Sequence, residues 1–276
     1  MKKTMLDFVQ RGVTNAEIAQ FGEQGFFTSS LLAGHSLGAV QDAVDRLWNE
    51  AGKRFDADQS WLANALINGV HKDSAVIRDL LYRNPLVDVM TRIIGPNVKA
   101  ASNQLAFKHP TEKARVEKGD GQIFDWHQDN GYGPLTPENN VTVWVALDDV
   151  TLESGCLWII PGSHRDGLVA HSASRESERI ARVKNAERAI PVPLAAGACV
   201  VFHGSLLHMS KGNHSGRIRR AYFCRYADAN AIEIKTGKPR VGKLLRGVSR
   251  FREVTECSEL VCHPDASELQ HLIHGR

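Results

Sequence analysis

The chain is predicted to be mainly β with α: a β-sandwich or barrel preceded by a helical part that packs on it. Three observations lead there. The first hundred residues carry apolar stripes at helical spacing. From Val98 onward the texture changes to short extended runs separated by Gly, Pro, Asn and Asp, without helices between them. Within that second part, Val141, Val143, Val145 and Leu147 alternate cleanly with Thr142, Trp144, Ala146 and Asp148, the period of a strand.

The helical part reads in order. Thr14-Asn15-Ala16-Glu17 is a capping box, followed by Ile18 and Phe21 on one face, and the helix should stop near Gly22 or Gly25. Phe26-Phe27-Thr28 is a short strand candidate. Ser36 is the expected cap of a second helix, whose Val40, Val44, Leu47 and Trp48 form one apolar stripe for packing on a core. Residues 74–83 read as helix. Asn84-Pro85 then supplies a cap and a proline at the first helical position, and that helix should end before Gly95-Pro96.

The strand candidates are 98–108, 122–128, 141–147, 157–160, 189–192, 198–203 and 218–226. Residues 172–187 are charged and read as an exposed loop, partly helical. The stretch 235–252 is basic, with Lys235, Lys238, Arg240, Lys243, Arg246, Arg250 and Arg252, and reads as a solvated face. Cys257, Cys262, His263, His271 and His274 have no common zinc-finger spacing, and chance is the preferred explanation. Without a repeat or a Pro/Ser-rich linker, one domain is the economical reading.

Composition narrows the function classes. The 276 residues are 42% hydrophobic and 24% charged, ordinary for a globular protein. A net charge of +3 without a basic arm argues against a nucleic-acid partner. The first residues lack the apolar core of a signal peptide, and no apolar run approaches membrane-spanning length, so no membrane partner is expected. Five cysteines, an odd number scattered through the later half, fit reduced thiols in a cytoplasmic protein better than a disulfide framework.

The chemistry centres on Phe124-Asp125-Trp126-His127-Gln128-Asp129. In an extended stretch His127 and Asp129 point to one face, along with Asp125. An imidazole and a carboxylate there make two-thirds of a 2-His-1-carboxylate site, which leaves positions open for co-substrate and oxygen on Fe(II). The second histidine should come from another strand of the sheet. His203 and His208, in the stretch 197–208, are both candidates.

At that stretch the chain resembles the phytanoyl-CoA dioxygenase family of Fe(II)/2-oxoglutarate-dependent oxygenases. His127-Gln128-Asp129 resembles the family's His-x-Asp. The run from Val143 through Asp148-Asp149 to Glu153-Ser154-Gly155-Cys156-Leu157 resembles its central strand and turn. Pro161-Gly162-Ser163-His164 resembles its PGSH turn. His208 and Arg219, eleven residues apart, resemble the distal metal ligand and the arginine that binds 2-oxoglutarate, over a pattern covering roughly residues 15 to 226.

The resemblance implies a double-stranded β-helix, or jelly roll, in a single oxygenase domain over 1–276. Residues 1–97 would be mainly helical, 98–226 the jelly-roll core and 227–276 a C-terminal extension. It implies Fe(II) on His127, Asp129 and His208, with 2-oxoglutarate and O2 as co-substrates. Arg219 would bind 2-oxoglutarate, with Lys108 and Ser210 contacting it too. A planar, permanently charged guanidinium suits the far carboxylate of that co-substrate. Arg217 shares the face of Arg219 and Arg220 takes the other. The choice between Arg219 and Arg220 rests on the family spacing.

His164 is expected to stabilise its turn. Related halogenases carry Ala or Gly in place of the carboxylate, so Asp129 implies hydroxylation. The expected substrate is a small molecule. Asn130 and Tyr132 are expected at the pocket rim, with Gln104, Gln122, Trp126 and Trp158 as further substrate contacts. The basic loop 113–121, with Lys113, Arg115 and Lys118, hints at an anionic substrate. Two rival readings are a cupin-like metalloenzyme without 2-oxoglutarate, against which Arg219 speaks, and a non-catalytic β-sandwich binding protein. No feature fixes an oligomeric state.

Overall fold

A computed structural model describes residues 6–9, 12–54, 65–110, 124–169 and 183–251. The helical part follows its sequence signals closely. Helix α1, Asn15–Gln24, opens on the Thr14/Glu17 capping box and closes on Gly25 in the left-handed conformation, φ 84°. A Cβ there would be forced against the imidazole of His164. Strand β1, Phe26–Ser30, follows at once.

Helix α2 spans Gly34–Arg54, so it starts before the expected cap. Ser36 lies inside its first turn, and its hydroxyl accepts the backbone N–H of Asp7 at 2.8 Å instead of capping the helix. Helix α3, Ala75–Arg83, is capped by Ser74. Helix α4, Leu86–Ile93, follows Pro85, whose backbone is already helical, while the Asn84 side chain accepts the Leu86 N–H at 3.1 Å.

The β part forms two antiparallel sheets, a jelly roll. The remaining strands are β2 Ala65–Asn68, β3 Val98–Lys108, β4 Phe124–His127, β5 Leu135–Thr136, β6 Val141–Ala146 and β7 Leu157–Ile159. They continue with β8 Ile190–Val192, β9 Ala198–His203, β10 His208–Ser210, β11 Arg219–Asp228, β12 Ile232–Glu233 and β13 Lys243–Arg246. The larger sheet has the order β1-β9-β6-β11-β3-β13, with β2 also on β3. The smaller has the order β4-β10-β7-β8, and β12-β5 is a separate ribbon.

Alternation along the larger sheet sorts side chains into two cores. Leu105, Phe107, Val143, Val145, Val201, Tyr222 and Tyr226 face the helices and pack on Val40, Val44, Ile77, Leu80 and Met90. Each such buried side chain contributes about 1.5–3 kcal/mol. Ala106, Trp144, Ala146, Phe202, Ala221 and Phe223 face the smaller sheet and meet Leu157, Ile159 and Val192. Both faces of β6 are therefore buried. The Tyr226 hydroxyl, in the helix-side core, donates to the carbonyl of Leu81 at 2.8 Å and so ties α3 to β11.

The basic stretch corrects an expectation. It is not a uniformly solvated face, because β13 pairs with β3 inside it. Arg246 bonds Asp88 at 2.7 Å, Arg240 bonds Glu233 at 2.8 Å, and Lys243 lies over the Tyr82 ring at 4.8 Å. Strands β2, β5, β10, β12 and β13 were not among those expected from the sequence. The loop 113–121, Gln122, most of 172–187, Arg252 and the later Cys and His residues lie outside the described residues.

Candidate active site

His127 closes β4 and His208 opens β10, and the two are directly opposed in the antiparallel pair. Their ring centroids are 4.1 Å apart. Each Nδ1 meets the backbone carbonyl of the residue two before it, Asp125 at 2.6 Å for His127 and Leu206 at 2.9 Å for His208. A carbonyl can only accept, so each Nδ1 carries a hydrogen and each Nε2 is the atom turned toward the common point. The parity that put Asp125 beside His127 thus matters through the Asp125 backbone.

Asp129 reaches the same point by a different backbone. Strand β4 stops at His127, Gln128 stays extended, and Asp129 begins the one-turn helix α5, Asp129–Tyr132. Its Oδ1 lies 4.0 Å from His127 Nε2 and 3.9 Å from His208 Nε2. All three donor atoms fall within 4.8 Å of one another, and all three residues are buried.

Gln128, between the two ligand candidates, is fully buried and was not singled out by sequence reasoning. Its amide donates to the carbonyls of Gly167 at 2.9 Å and Ser205 at 2.7 Å, and its carbonyl accepts the Val169 N–H at 2.8 Å. It pins two loops beside the triad.

Two side chains fix Asp129. Thr142 Oγ1 donates to Oδ2 at 2.5 Å, and Arg225 Nη2 donates to Oδ1 at 2.8 Å. Thr142 and Arg225 are themselves directly opposed on β6 and β11. Burial works against the charged carboxylate, yet Arg225, the two histidines and Thr142 outweigh it and hold Asp129 below the usual carboxylate range. Burial, helped by the neighbouring His208, lowers His127 to about 3, so its imidazole is neutral at physiological pH. Sequence reasoning missed Arg225. The signal was available, because Arg219, Ala221, Phe223 and Arg225 alternate along one strand face.

A second cluster lies along the inner face of the larger sheet. Arg219, at the start of β11, is directly opposed to Lys108 on β3. Arg219 is 3% exposed, and its Nε has no hydrogen-bond partner among the described residues. Its guanidinium stands 5.2 Å from the Trp144 ring centroid, and burial lowers its pKa to about 10. Lys108 is buried and donates to the carbonyls of Ser210, at 3.4 Å, and Lys211. Ser210 lies two residues past His208, on the same face of β10, so Lys108, Ser210 and Arg219 are brought together.

Arg220 has a different fate. It faces the helices, where it bonds Asp148 at 2.6 Å and Asp45 at 2.8 Å, and these partners raise its pKa. Geometry therefore separates the two arginines that sequence reasoning had left to family spacing. Arg217 lies before the strand and is exposed, so it does not share the face of Arg219.

The remaining candidates are spread out. Gln104 projects from the inner face of β3 and donates to Asn68. Asn130 is fully buried and accepts the Leu135 N–H at 3.1 Å, holding the chain after the triad rather than forming a rim. The exposed ring of Tyr132 is 5.7 Å from that of His127, at the mouth of the site. Trp126 packs with Ile160 and Leu207 outside the triad. Trp158 alternates with the inward Leu157 and Ile159 and is covered by Lys211 at 4.3 Å. His203 is not opposed to His127: its Nδ1 accepts the Ser205 N–H at 3.0 Å, and burial lowers it to about 4. His164 holds its turn against the Gly22 carbonyl at 3.2 Å, as expected.

The donor set suits a divalent transition metal such as Fe(II): two imidazoles and one carboxylate converge and leave room for other ligands. Arg219, whose Nε has no hydrogen-bond partner among the described residues, suits an external carboxylate. Comparison with known proteins agrees. A phytanoyl-CoA dioxygenase from Arabidopsis thaliana is 26% identical over 182 residues, 62% of this chain and 62% of that protein. The match thus spans under two thirds of that relative's length.

Among solved structures, the non-heme alpha ketoglutarate dependent carbocyclase SnoK from nogalamycin biosynthesis superposes with a TM-score of 0.65. It is 21% identical and covers 84% of this chain and 94% of its own. The epimerase SnoN, solved with Fe3+, alpha ketoglutarate and nogalamycin RO, gives 0.64 at 21% identity and covers 85% and 95%. At such identity these two establish the shared fold. A family profile described as "Phytanoyl-CoA dioxygenase (PhyH)" matches residues 24–221, and the chain therefore belongs to the phytanoyl-CoA dioxygenase family.

Proposed function

We propose that the protein is an Fe(II)- and 2-oxoglutarate-dependent dioxygenase that hydroxylates an aliphatic carbon of a small, anionic metabolite. His127, Asp129 and His208 would hold the iron, and Arg219, Lys108 and Ser210 would hold 2-oxoglutarate. The observation that carries the reading is the buried guanidinium of Arg219, whose Nε has no hydrogen-bond partner among the described residues, facing the space between the sheets where the triad lies. A buried cation is expensive unless a ligand neutralises it. Arg219 speaks against a cupin-like enzyme without 2-oxoglutarate, and the assembled His127, Asp129 and His208 speak against a non-catalytic binding protein.

When bound, iron would supply the coupled oxidation in which O2 and 2-oxoglutarate give succinate, CO2 and a hydroxylated substrate. The chain's own part is positional. Backbone carbonyls of Asp125 and Leu206 orient the imidazoles. Lys108 and Arg219 would hold the co-substrate carboxylates. The two layers around the site exclude water. The whole chain would act as one oxygenase unit, and the buried thiols of Cys156, Cys199 and Cys224 favour a reducing, cytoplasmic setting.

The test is anaerobic titration of Fe(II)-loaded protein with 2-oxoglutarate. A visible metal-to-ligand charge-transfer band that disappears in His127→Ala supports the reading. Folded protein without a band rules it out. Succinate release across anionic metabolites and their uncharged amides then tests the substrate class.

A further inference from the structure

Asp129 is a buried carboxylate facing two imidazoles. Left alone there, it would take up a proton or swing toward water, because a buried charge without a partner is unfavourable. Its two oxygens are instead held separately. Thr142 takes Oδ2, and Arg225 takes Oδ1, the oxygen that faces both Nε2 atoms. Holding both oxygens stops rotation of the carboxylate plane.

The sheet builds this clamp. Arg225 and Thr142 are cross-strand partners on β11 and β6, and Phe202 is the next partner of Thr142 on β9. The Phe202 ring lies 4.7 Å from that of His208. One row across the larger sheet therefore supports the carboxylate and one of the imidazoles. Among the described residues, Asp129 is the acceptor that the Arg225 side chain has; its Nε is unpartnered. This differs from Arg220, whose two carboxylate partners lie on the helix side.

We propose that Arg225 is the positioning residue of the metal carboxylate: with Thr142 it holds Asp129 in its ligating orientation before a metal arrives, so the three donors are preassembled. The inference rests on the reading that the triad holds a divalent metal, and it does not depend on 2-oxoglutarate. Removing a residue that orients a ligand costs about 10- to 100-fold in metal affinity.

The experiment titrates Co(II) into the metal-free full chain, following heat and the visible d–d bands. Wild type, Arg225→Gln, Arg225→Lys, Thr142→Val and Asp129→Asn are compared, with His127→Ala marking loss of the site. Arg225→Gln is expected to bind Co(II) about 10- to 100-fold more weakly, with altered d–d bands. Arg225→Lys should recover part of the loss, and Thr142→Val should show a smaller one. In the Asp129→Asn background Arg225→Gln should have no further effect.

Wild-type affinity and bands in Arg225→Gln, or an undiminished loss on top of Asp129→Asn, overturn the proposal. If Arg225→Gln does not fold, wild-type affinity in both Arg225→Lys and Thr142→Val overturns it. Wild type that binds Co(II) no better than His127→Ala overturns the metal reading itself, a distinguishable failure that removes the inference with it.

Discussion

His127 and His208 face each other across β4 and β10, and each is tied through Nδ1 to the carbonyl two residues earlier. One backbone device, used twice, sets both tautomers. The strand pairing that holds the smaller sheet together also brings the two Nε2 atoms to a common point. The scaffold and the metal site are one construction at this edge.

A bound metal should therefore stabilise the fold. Ligand at about 100 times its Kd contributes about 2.7 kcal/mol. Adding a chelator should lower the melting temperature of wild type accordingly. His208→Ala should start lower and show no response to chelator or to added Co(II). Thermal melts with and without metal check this.

The two adjacent arginines should separate cleanly. Arg219→Gln should weaken 2-oxoglutarate binding by on the order of 100-fold, about 3 kcal/mol, the scale of a lost charge-assisted pair. Its melting temperature should hold or rise, since a buried unpaired cation has been removed. Arg220→Gln should do the reverse: lower stability through loss of Asp148 and Asp45, with 2-oxoglutarate affinity retained. Calorimetric titration and denaturant unfolding of both proteins decide it.

Gly155 should tolerate no side chain. Its φ is +79°, and a Cβ would sit 2.5 Å from the Lys211 carbonyl oxygen and 2.8 Å from that of Gly212. The left-handed backbone alone makes Gly155→Ala destabilising by about 1–3 kcal/mol. Because the Lys211 carbonyl also holds Lys108, 2-oxoglutarate affinity should fall as well. Urea unfolding and 2-oxoglutarate titration read the two effects.

Lys99 should give the fold an alkaline stability gain. It is fully buried, donates to the carbonyls of Ala229 and Arg240, and burial lowers it to about 8 from 10.5. Between those values the unfolded chain binds more protons than the folded one, so stability rises with pH, by at most about 1.4 kcal/mol per unit. The cost is fully present below pH 8. Lys99→Met should be flatter between pH 8 and 10 in denaturant unfolding, and an equal slope in both proteins would refute the assignment.

How much of this was legible varied by element. Strands β3, β6, β7, β8, β9 and β11 were readable because alternation and turn residues bound them. Strand β2 is four residues beside Gly69, and β13 is basic and reads as surface; each exists because β3 offers it an edge. The His127/Asp129 pair was readable from type and spacing, whereas His208 rather than His203, and Arg219 rather than Arg220, came from the family resemblance. The strand face of Arg225 could be read from that alternation, but its pairing with Asp129 could not, since α5 carries Asp129 to it. Aromatic residues were harder to place from sequence: Trp126 packs with Ile160 and Leu207, whereas Trp158 packs against the core between the sheets.

Strand β11 carries Arg219 and Arg225 on one face, six residues apart, with the bulge in its pairing to β3 falling after Arg225. At about 3.3 Å per residue that is roughly 20 Å of rigid backbone. On the proposed reading, the strand would be a ruler between the co-substrate end and the metal end. Inserting or deleting one residue in it would turn one arginine into the helix-side core, so related chains that keep both functions should vary in their loops and never in the length of this segment.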